Sequence, residues 1–177
     1  MILTDELVIL RAIEDTDAEK LMEMINDPEI ENSVVGYSFP VSLTNQRKWI
    51  SELKNDKTIR YAIDYKTTGF AGIISLSNLD FKNRSGNINI KLLKSARGQG
   101  IAEHSVKLLI SYCFDELNLN CLYAGVLEKN EASKRLWLKL GFKIDGILRQ
   151  RVYKNGEYHN LIEYSILKDE YDERNWQ

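Results

Sequence analysis

Proline and cysteine are both scarce in this chain, with two of each among 177 residues. So little proline excludes a proline-rich linker or an extended recognition segment. Two cysteines, Cys113 and Cys121, are too few for a disulfide framework and lack the CxxC spacing of a redox or metal motif, so they read as buried thiols in a reducing, cytoplasmic setting. No apolar run approaches the roughly 20 residues needed to cross a bilayer, and no membrane role is expected. The opening MILTDELVILRAIEDTD has acids on both sides of its short apolar run and no basic leader, which argues against a signal peptide. No basic cluster is interleaved with aromatics and the net charge is -2, so nucleic acid is not an expected partner. No metal is expected either.

The residues that are present, 44% hydrophobic and 28% charged, suit an ordinary globular protein, and the length suits one domain over residues 1–177. Charge is unevenly spread. Residues 1–31 hold ten acids against Arg11 and Lys20, a net of -8, which leaves +6 for the remainder. An acidic beginning and a basic remainder suit a cationic acceptor and an anionic cofactor, although a solvated helix face explains the same pattern.

Hydrophobic periodicity orders the elements. Leu7–Leu10 reads as a strand, and Thr16 or Asp17 can cap a helix carrying Ala18, Leu21, Met22 and Ile25 at helical spacing. That helix is expected to stop near Asn26-Asp27-Pro28. A second helix over 44–55 should turn Trp49, Ile50 and Leu53 inward. Three strands are expected at 59–65, 70–78 and 87–93, then a helix over 101–117 with Ala102, Val106, Leu109, Cys113 and Leu117 along one stripe. A strand at 121–126, a helix at 131–140 and two strands at 142–153 and 158–167 complete the chain. Asn155-Gly156 marks a tight hairpin between the last two. The order β-α-α-β-β-β-α-β-α-β-β indicates an α/β (α+β) mixed sheet flanked by about four helices.

Two stretches carry chemistry. In ARGQGIAEHS, Gly98 and Gly100 precede a helix whose unpaired N–H groups can receive phosphate, with Arg97 able to add a charged contact. A nucleoside triphosphate loop needs Gly-Lys-Ser or Gly-Lys-Thr, which is missing, and a dinucleotide fingerprint needs a third glycine where Glu103 stands. A plain structural turn before a helix explains the same residues. The second stretch, NEASKRLWLKLGF, reads as a complete helix, with Asn130 as N-cap, Ala132, Leu136 and Leu140 as its buried stripe and Gly141 as the left-handed residue beyond its end.

Taken together, Arg97-Gly98-Gln99-Gly100-Ile101-Ala102 and Asn130-Glu131-Ala132-Ser133 with Leu140-Gly141-Phe142 resemble the two signature helices of the GNAT superfamily of acyl-CoA-dependent N-acetyltransferases. Within it, NRSGNINIKL, FDELNLNCLYAGV and KNGEYHNLIEYSIL are similar to the RimJ/RimL-like branch. The resemblance implies a central, mostly antiparallel sheet whose parallel middle strands splay apart. It implies acetyl-CoA as cofactor, held by Ile90, Lys91, Leu92 and Leu93, by Arg97, Gly98, Gln99, Gly100, Ile101 and Ala102, and by Asn130, Ser133 and Trp137. On this resemblance, a Gly100→Glu change should abolish CoA binding. The implied activity is transfer of the acetyl group to a primary amine, of a protein N-terminus such as that of a ribosomal protein, or of an amino sugar or polyamine. The branch also allows a homodimer.

The implied mechanism is direct attack of a neutral amine on the thioester, with backbone N–H groups near Ile90–Leu92 facing the developing oxyanion. Two residues common in relatives are missing: Trp137 stands where a tyrosine often protonates the departing thiolate, and Asn87 where an acid is common. Ser133, one turn before Trp137, is the best remaining donor to the thiolate, and as an N3 residue it also has a structural reading. Trp137 can pack on Phe142 or wall the thioester pocket. No general base is identifiable. Glu31, Tyr37, Tyr153, Tyr158 and His159 lie on segments that line the acceptor cleft in relatives, with His159 also readable as a plain hairpin residue. His104 is structural or touches the cofactor. The alternative reading is a non-catalytic CoA-binding regulatory module that lost its acid and base. For the acceptor, the acidic beginning suits a polyamine, RQRVYKNGEYHN resembles amino-sugar and ribosomal-protein enzymes equally, and VVGYSFPVS lacks the acidic pair frequent in polyamine enzymes.

Overall fold

The computed structural model describes residues 1–36 and 39–173. Eight strands form a single sheet in the order β1-β2-β3-β4-β5-β6-β8-β7. They are β1 (Leu3–Thr4), β2 (Val8–Arg11), β3 (Ile59–Tyr65), β4 (Gly69–Asp80), β5 (Ser85–Leu92), β6 (Cys121–Leu127), β7 (Lys143–Lys154) and β8 (Glu157–Leu167). Every pairing is antiparallel except β5 with β6, which run parallel for only three residue pairs, Ser85 to Asn87 against Cys121 to Tyr123. Beyond Asn87 and Tyr123 the two strands part. The expected mixed sheet with splayed middle strands is therefore present.

The helices are α1 (Ala18–Ile25), α2 (Pro28–Ser33), α3 (Leu43–Ser51), α4 (Ile101–Ser111), α5 (Glu131–Lys139) and α6 (Lys168–Asp172). Six described helices replace the four expected. The short α2 begins where the sequence suggested only a stop: Pro28 needs no N–H partner in a first helical turn, and the Asp27 side chain accepts the Glu29 N–H at 2.8 Å. Ahead of α1, neither Thr16 nor Asp17 caps through its side chain. A 3-10 turn over Asp15–Asp17 leads into the helix, and the Asp17 carboxylate reaches back to the Glu14 N–H at 2.9 Å.

The core fills both faces of the sheet. Ile74 and Leu76 of β4, Ile88 of β5 and Leu122, Ala124 and Val126 of β6 join Val106, Leu109, Ile110 and Cys113 of the α4 segment. Full burial of such side chains contributes about 1.5–3 kcal/mol each. The α4 helix ends in a π turn over Tyr112–Glu116, so the expected continuous helix to Leu117 changes pitch there. On the opposite face Leu21, Met24 and Ile30 pack with Phe70 and Ile73. Met24 rather than Met22 fills that layer.

Two packing expectations are overturned. Trp49 is exposed rather than inward, its ring lying under the Arg60 guanidinium at 5.8 Å, while Gln46 is the buried residue of α3. Ala132 of α5 is exposed because it faces a cavity, and Trp137 with Leu140 takes the buried place. Cys113 is buried and Cys121 half-buried, both as free thiols.

Candidate acetyl-transfer site

The parting of β5 and β6 makes the site. In an antiparallel ladder alternate residues turn their N–H and C=O groups to the same neighbour. Leu93 donates to the Ala71 carbonyl on β4 at 2.9 Å, so Lys91 and Asn89 also face β4, and Ile90 and Leu92 turn their backbone groups toward β6. On β6 the Cys121 N–H turns to the Arg84 carbonyl at the start of β5, which puts the backbone groups of Gly125 and Leu127 on the β5 side. With the strands apart, these groups border an opening rather than a ladder. They are the donors and acceptors that an extended amide chain requires. Close approach of β4 is needed here: a Cβ on Gly72 would stand 2.1 Å from the Lys91 carbonyl oxygen.

A cavity of about 710 Å³ runs from this opening to the ends of α4 and α5. It brings together Ile90, Lys91, Leu92, Arg97, Gly98, Gly100, Ile101, Ala102, Asn130, Ser133 and Trp137 of the expected set. Leu93 and Gln99 fall outside it. Leu93 packs in the core, and the Gln99 amide turns back to the Ser95 carbonyl at 2.7 Å, bracing the loop. Sequence reasoning missed Arg135 of α5, whose exposed cationic side chain borders the same space. Its place on the face of α5 shared with Ala132 was the available signal.

Gly98 and Gly100 both adopt left-handed backbone, with φ of 75° and 79°. A Cβ on Gly98 would meet open space, whereas one on Gly100 would rest against Leu7 and His104. Both glycines border the cavity, and a side chain at either would be strained by the left-handed backbone. Gly100 serves as the left-handed N-cap of α4, and the first N–H groups of that helix are left without intrahelical acceptors. Arg97 donates to Glu29 of α2 at 2.7 Å, and Lys94 grips the other Glu29 oxygen at 2.7 Å. These two cations hold the Glu29 carboxyl below its usual range, the Lys94 hydrogen bond contributing most. A phosphate at the loop would share Arg97 with that carboxylate.

At α5 the expected helix grammar is realised. Asn130 Oδ1 accepts the Ser133 N–H at 3.1 Å, Gly141 has φ of 90°, and the Phe142 N–H returns to the Trp137 carbonyl at 3.0 Å. Trp137 is buried edge-on to Phe142, with ring centres 4.8 Å apart. Its indole N–H donates to Ser133 Oγ at 3.1 Å. That bond occupies a lone pair of Ser133 and leaves its O–H free to donate into the cavity.

The other sequence candidates with a described place do not line the cavity. Tyr153 and Tyr158 pair with each other, ring centres 5.0 Å apart, at the exposed tip of the β7–β8 hairpin. Glu31 is bound to the buried Lys154 at 2.5 Å rather than free for an acceptor. Tyr37 lies outside the described residues. His159 Nε2 lies 3.3 Å from the Lys154 carbonyl, and His104 Nδ1 lies 2.7 Å from Asp5, tying α4 to the β1–β2 turn. Asn87 sits in an amide ladder, its Oδ1 accepting from Asn89 at 2.7 Å. Lys91 borders the cavity, and its ammonium makes no hydrogen bond or ion pair among the described residues. Burial lowers its pKa, opposed by nearby Glu31 and reinforced by Lys154.

The family model for the Acetyltransferase (GNAT) domain matches residues 8–143. The chain belongs to the GNAT acetyltransferase family. It is 31% identical over 175 residues to the putative ribosomal N-acetyltransferase YdaF of Bacillus subtilis, covering 95% of each chain. Among solved structures it is similar to a spermidine N-acetyltransferase from Vibrio cholerae in complex with CoA and spermine, with a TM-score of 0.87, 21% identity and coverage of 94% and 99%. It is likewise similar to RimL, a ribosomal L7/L12 α-N-protein acetyltransferase in complex with CoA, with a TM-score of 0.83, 21% identity and coverage of 94% and 98%.

As a GNAT acetyltransferase the protein uses acetyl-CoA to acetylate an amine. The cavity has the chemistry to hold that donor: glycines open the approach to the N-terminus of α4, and unpaired strand backbone borders the opening. When bound, acetyl-CoA supplies an acyl group activated as a thioester. The chain's part is to orient it and to exclude water. Among the described residues no helix is long and apolar enough to cross a membrane.

Proposed function

We propose that the protein acetylates the α-amine of a protein or peptide N-terminus, and that residues 1–177 act as one catalytic domain. The observation that carries the choice of acceptor is the charge of the cleft wall opposite the donor loop. Glu31, the acid that α2 brings to this wall, is held by Lys154, and Lys91 adds an unpaired ammonium beside them. A polyamine would bring further positive charge against that wall, which is unfavourable in a half-buried site. A peptide N-terminus brings one ammonium followed by amide groups, which suit the Asn89, Ser77 and Ser75 edge of β4 and β5. The likeness to the YdaF relative over nearly the whole chain supports the same reading.

Within this reading Ser133, oriented by Trp137, donates to the departing thiolate, and the N–H groups of Ile90 and Leu92 face the thioester carbonyl. A thiol has a reference pKa near about 8.5, so a single hydroxyl donor suffices to receive it. Exposed Ile144 and Ile147 on the edge strand β7 support self-association, and a structure of the Vibrio cholerae spermidine N-acetyltransferase is described as dodecameric. The test is a panel of peptides, spermidine and an amino sugar incubated with acetyl-CoA while free thiol is followed. The expected result is a higher kcat/KM for peptides than for spermidine, and a Lys91→Glu change that moves the ratio toward spermidine. A wild-type preference for spermidine would overturn the choice of acceptor.

A further inference from the structure

The geometry points to Glu163 of β8 as the group that receives the acceptor's ammonium and takes its proton, an assignment that rests on the acetyl-transfer reading of the cavity but not on which amine is used. Glu163 pairs with Gly125 of β6 across the antiparallel ladder, so the two residues share a face of the sheet. Because position 125 is glycine, nothing on β6 stands in the way, and the Glu163 carboxylate leans over that strand: a Cβ built on Gly125 would lie 3.2 Å from its Oε1. Gly125 is only two residues past Tyr123, the last residue of β6 paired with β5, and it borders the cavity. The carboxylate thus stands at the point where the strands begin to part.

The face is the correct one for an acceptor. Leu122, Ala124 and Val126 alternate with Gly125 and turn into the core beneath α4, so Gly125 and Glu163 face the opposite side. On that side Gly125, Asn89 and Ser75 border the cavity, and α2 with the segment to Gly36 forms its far wall. Among the described residues the Glu163 carboxylate makes no hydrogen bond or ion pair, although it is half-buried. Its neighbour on the same face, Asp145, differs in being engaged by the Ser165 hydroxyl at 2.8 Å. An unengaged carboxylate beside a notch left by glycine is suited to hold an ammonium, and a carboxylate beside an amine is suited to accept its proton, directly or through one water.

The step balances as follows. The ammonium gives one proton to the Glu163 carboxylate, which passes it to solvent. The amine lone pair forms the C–N bond, the C–S bond breaks, and the electron pair leaves with sulfur. The second proton lost by nitrogen reaches the thiolate through Ser133 or solvent, so the products are an amide, a thiol and one released proton.

The test is Glu163→Gln, with Glu163→Asp and Asp145→Asn alongside, on whichever amine the wild type turns over fastest. Expected for Glu163→Gln are an unchanged melting temperature, unchanged CoA affinity and a fall in kcat/KM of about 100-fold at pH 6–7, narrowing as pH rises above the amine pKa. In calorimetry, binding of the acceptor to the CoA complex at pH 6 should weaken as well. Glu163→Asp should recover part of the loss, and Asp145→Asn should stay within a few-fold of wild type. Equal losses in Glu163→Gln and Asp145→Asn, or a pH-independent loss, or activity near wild type in Glu163→Gln, would each overturn the assignment. A spermidine-preferring enzyme that still needs Glu163 would overturn the choice of acceptor and leave this inference standing.

Discussion

The indole N–H of Trp137 points at Ser133 Oγ from one helical turn away, 3.1 Å between heavy atoms. A residue that cannot itself act as an acid in this pH range therefore orients one that can donate. Ser133→Ala should lower kcat about 10- to 100-fold while leaving CoA affinity nearly unchanged, because the hydroxyl acts on the leaving thiolate. Trp137→Phe keeps an aromatic ring against Phe142 and removes only the N–H, so a smaller loss in kcat is expected, with a stability cost of about 1 kcal/mol. Single-turnover release of thiol checks both. Equal losses in the two variants would mean that packing, not orientation, is the tryptophan's contribution.

Gly98 and Gly100 are separated by what lies beyond each Cβ. Gly98 borders the cavity and a Cβ there meets no atom within 4 Å, so Gly98→Asp should place a negative charge near the donor's phosphates and weaken CoA binding about 100-fold. Gly100→Ala instead strains a left-handed N-cap, costing about 1–2 kcal/mol of stability with a much smaller effect on affinity. Calorimetric titration with CoA and thermal melts of the same two samples separate the effects.

The parts of this fold that could be read from sequence are those set by local chemistry. Asn130, Gly141 and Phe142 define the ends of α5 through bonds within a dozen residues, and Asn155-Gly156, both at positive φ, make the hairpin turn expected. Pro28 misled because the same residue ends one helix and begins another, and only the Asp27 cap distinguishes the two. Trp49 misled because helical spacing does not reveal that Arg60 from a neighbouring strand covers its ring. In the site, the glycine turn ahead of α4, with Gly98 and Gly100 both left-handed, was legible for the same local reason. Glu31 was named for the acceptor cleft by resemblance alone, and its partner Lys154, which no local reading reveals, lies 123 residues away. Glu163 was invisible because its significance depends on a glycine on the adjacent strand.

Arg11 bridges Asp17 and Asp64, with bonds of 2.8 Å to both oxygens of Asp17 and 2.6 Å to Asp64, tying the start of α1 to β2 and β3. Burial raises the Asp17 carboxyl pKa, but the Arg11 and Glu14 hydrogen bonds outweigh it and leave the group below its usual value of 3.8. A depressed folded pKa means that the stabilisation is present above the unfolded value and is lost as pH falls through the folded one. Asp17→Asn should therefore cost about 2–3 kcal/mol at pH 7, and the gap to wild type should begin to narrow below about pH 4 and close once pH falls through the lower folded pKa. Denaturant melts at pH 7, 5 and 3 measure it. A gap as wide at pH 3 as at pH 7 would assign the effect to packing rather than charge.

Lys154 fastens the β7–β8 hairpin to α2. Its buried ammonium donates to the Glu31 carbonyl at 2.8 Å, to Glu31 Oε1 at 2.5 Å and to the Gly36 carbonyl at 2.5 Å, while Asn155 reaches Asn32 at 3.0 Å. Ser33, Val34 and Gly36 border the cavity, so the same bonds fix the acceptor wall. Lys154→Met leaves three acceptors without their donor, one of them charged, and should cost about 3 kcal/mol, or about 6–12 °C in Tm for a chain of this size. Because the donor loop is not involved, CoA affinity should change little while KM for the acceptor rises. Removing both members of the ion pair in Lys154→Met with Glu31→Leu should recover part of the stability, since no uncompensated charge remains, but not the acceptor KM, since the wall is still unfastened. Recovery of both together would mean that the exposed Glu31 charge, and not the loosened wall, was what impaired acceptor binding.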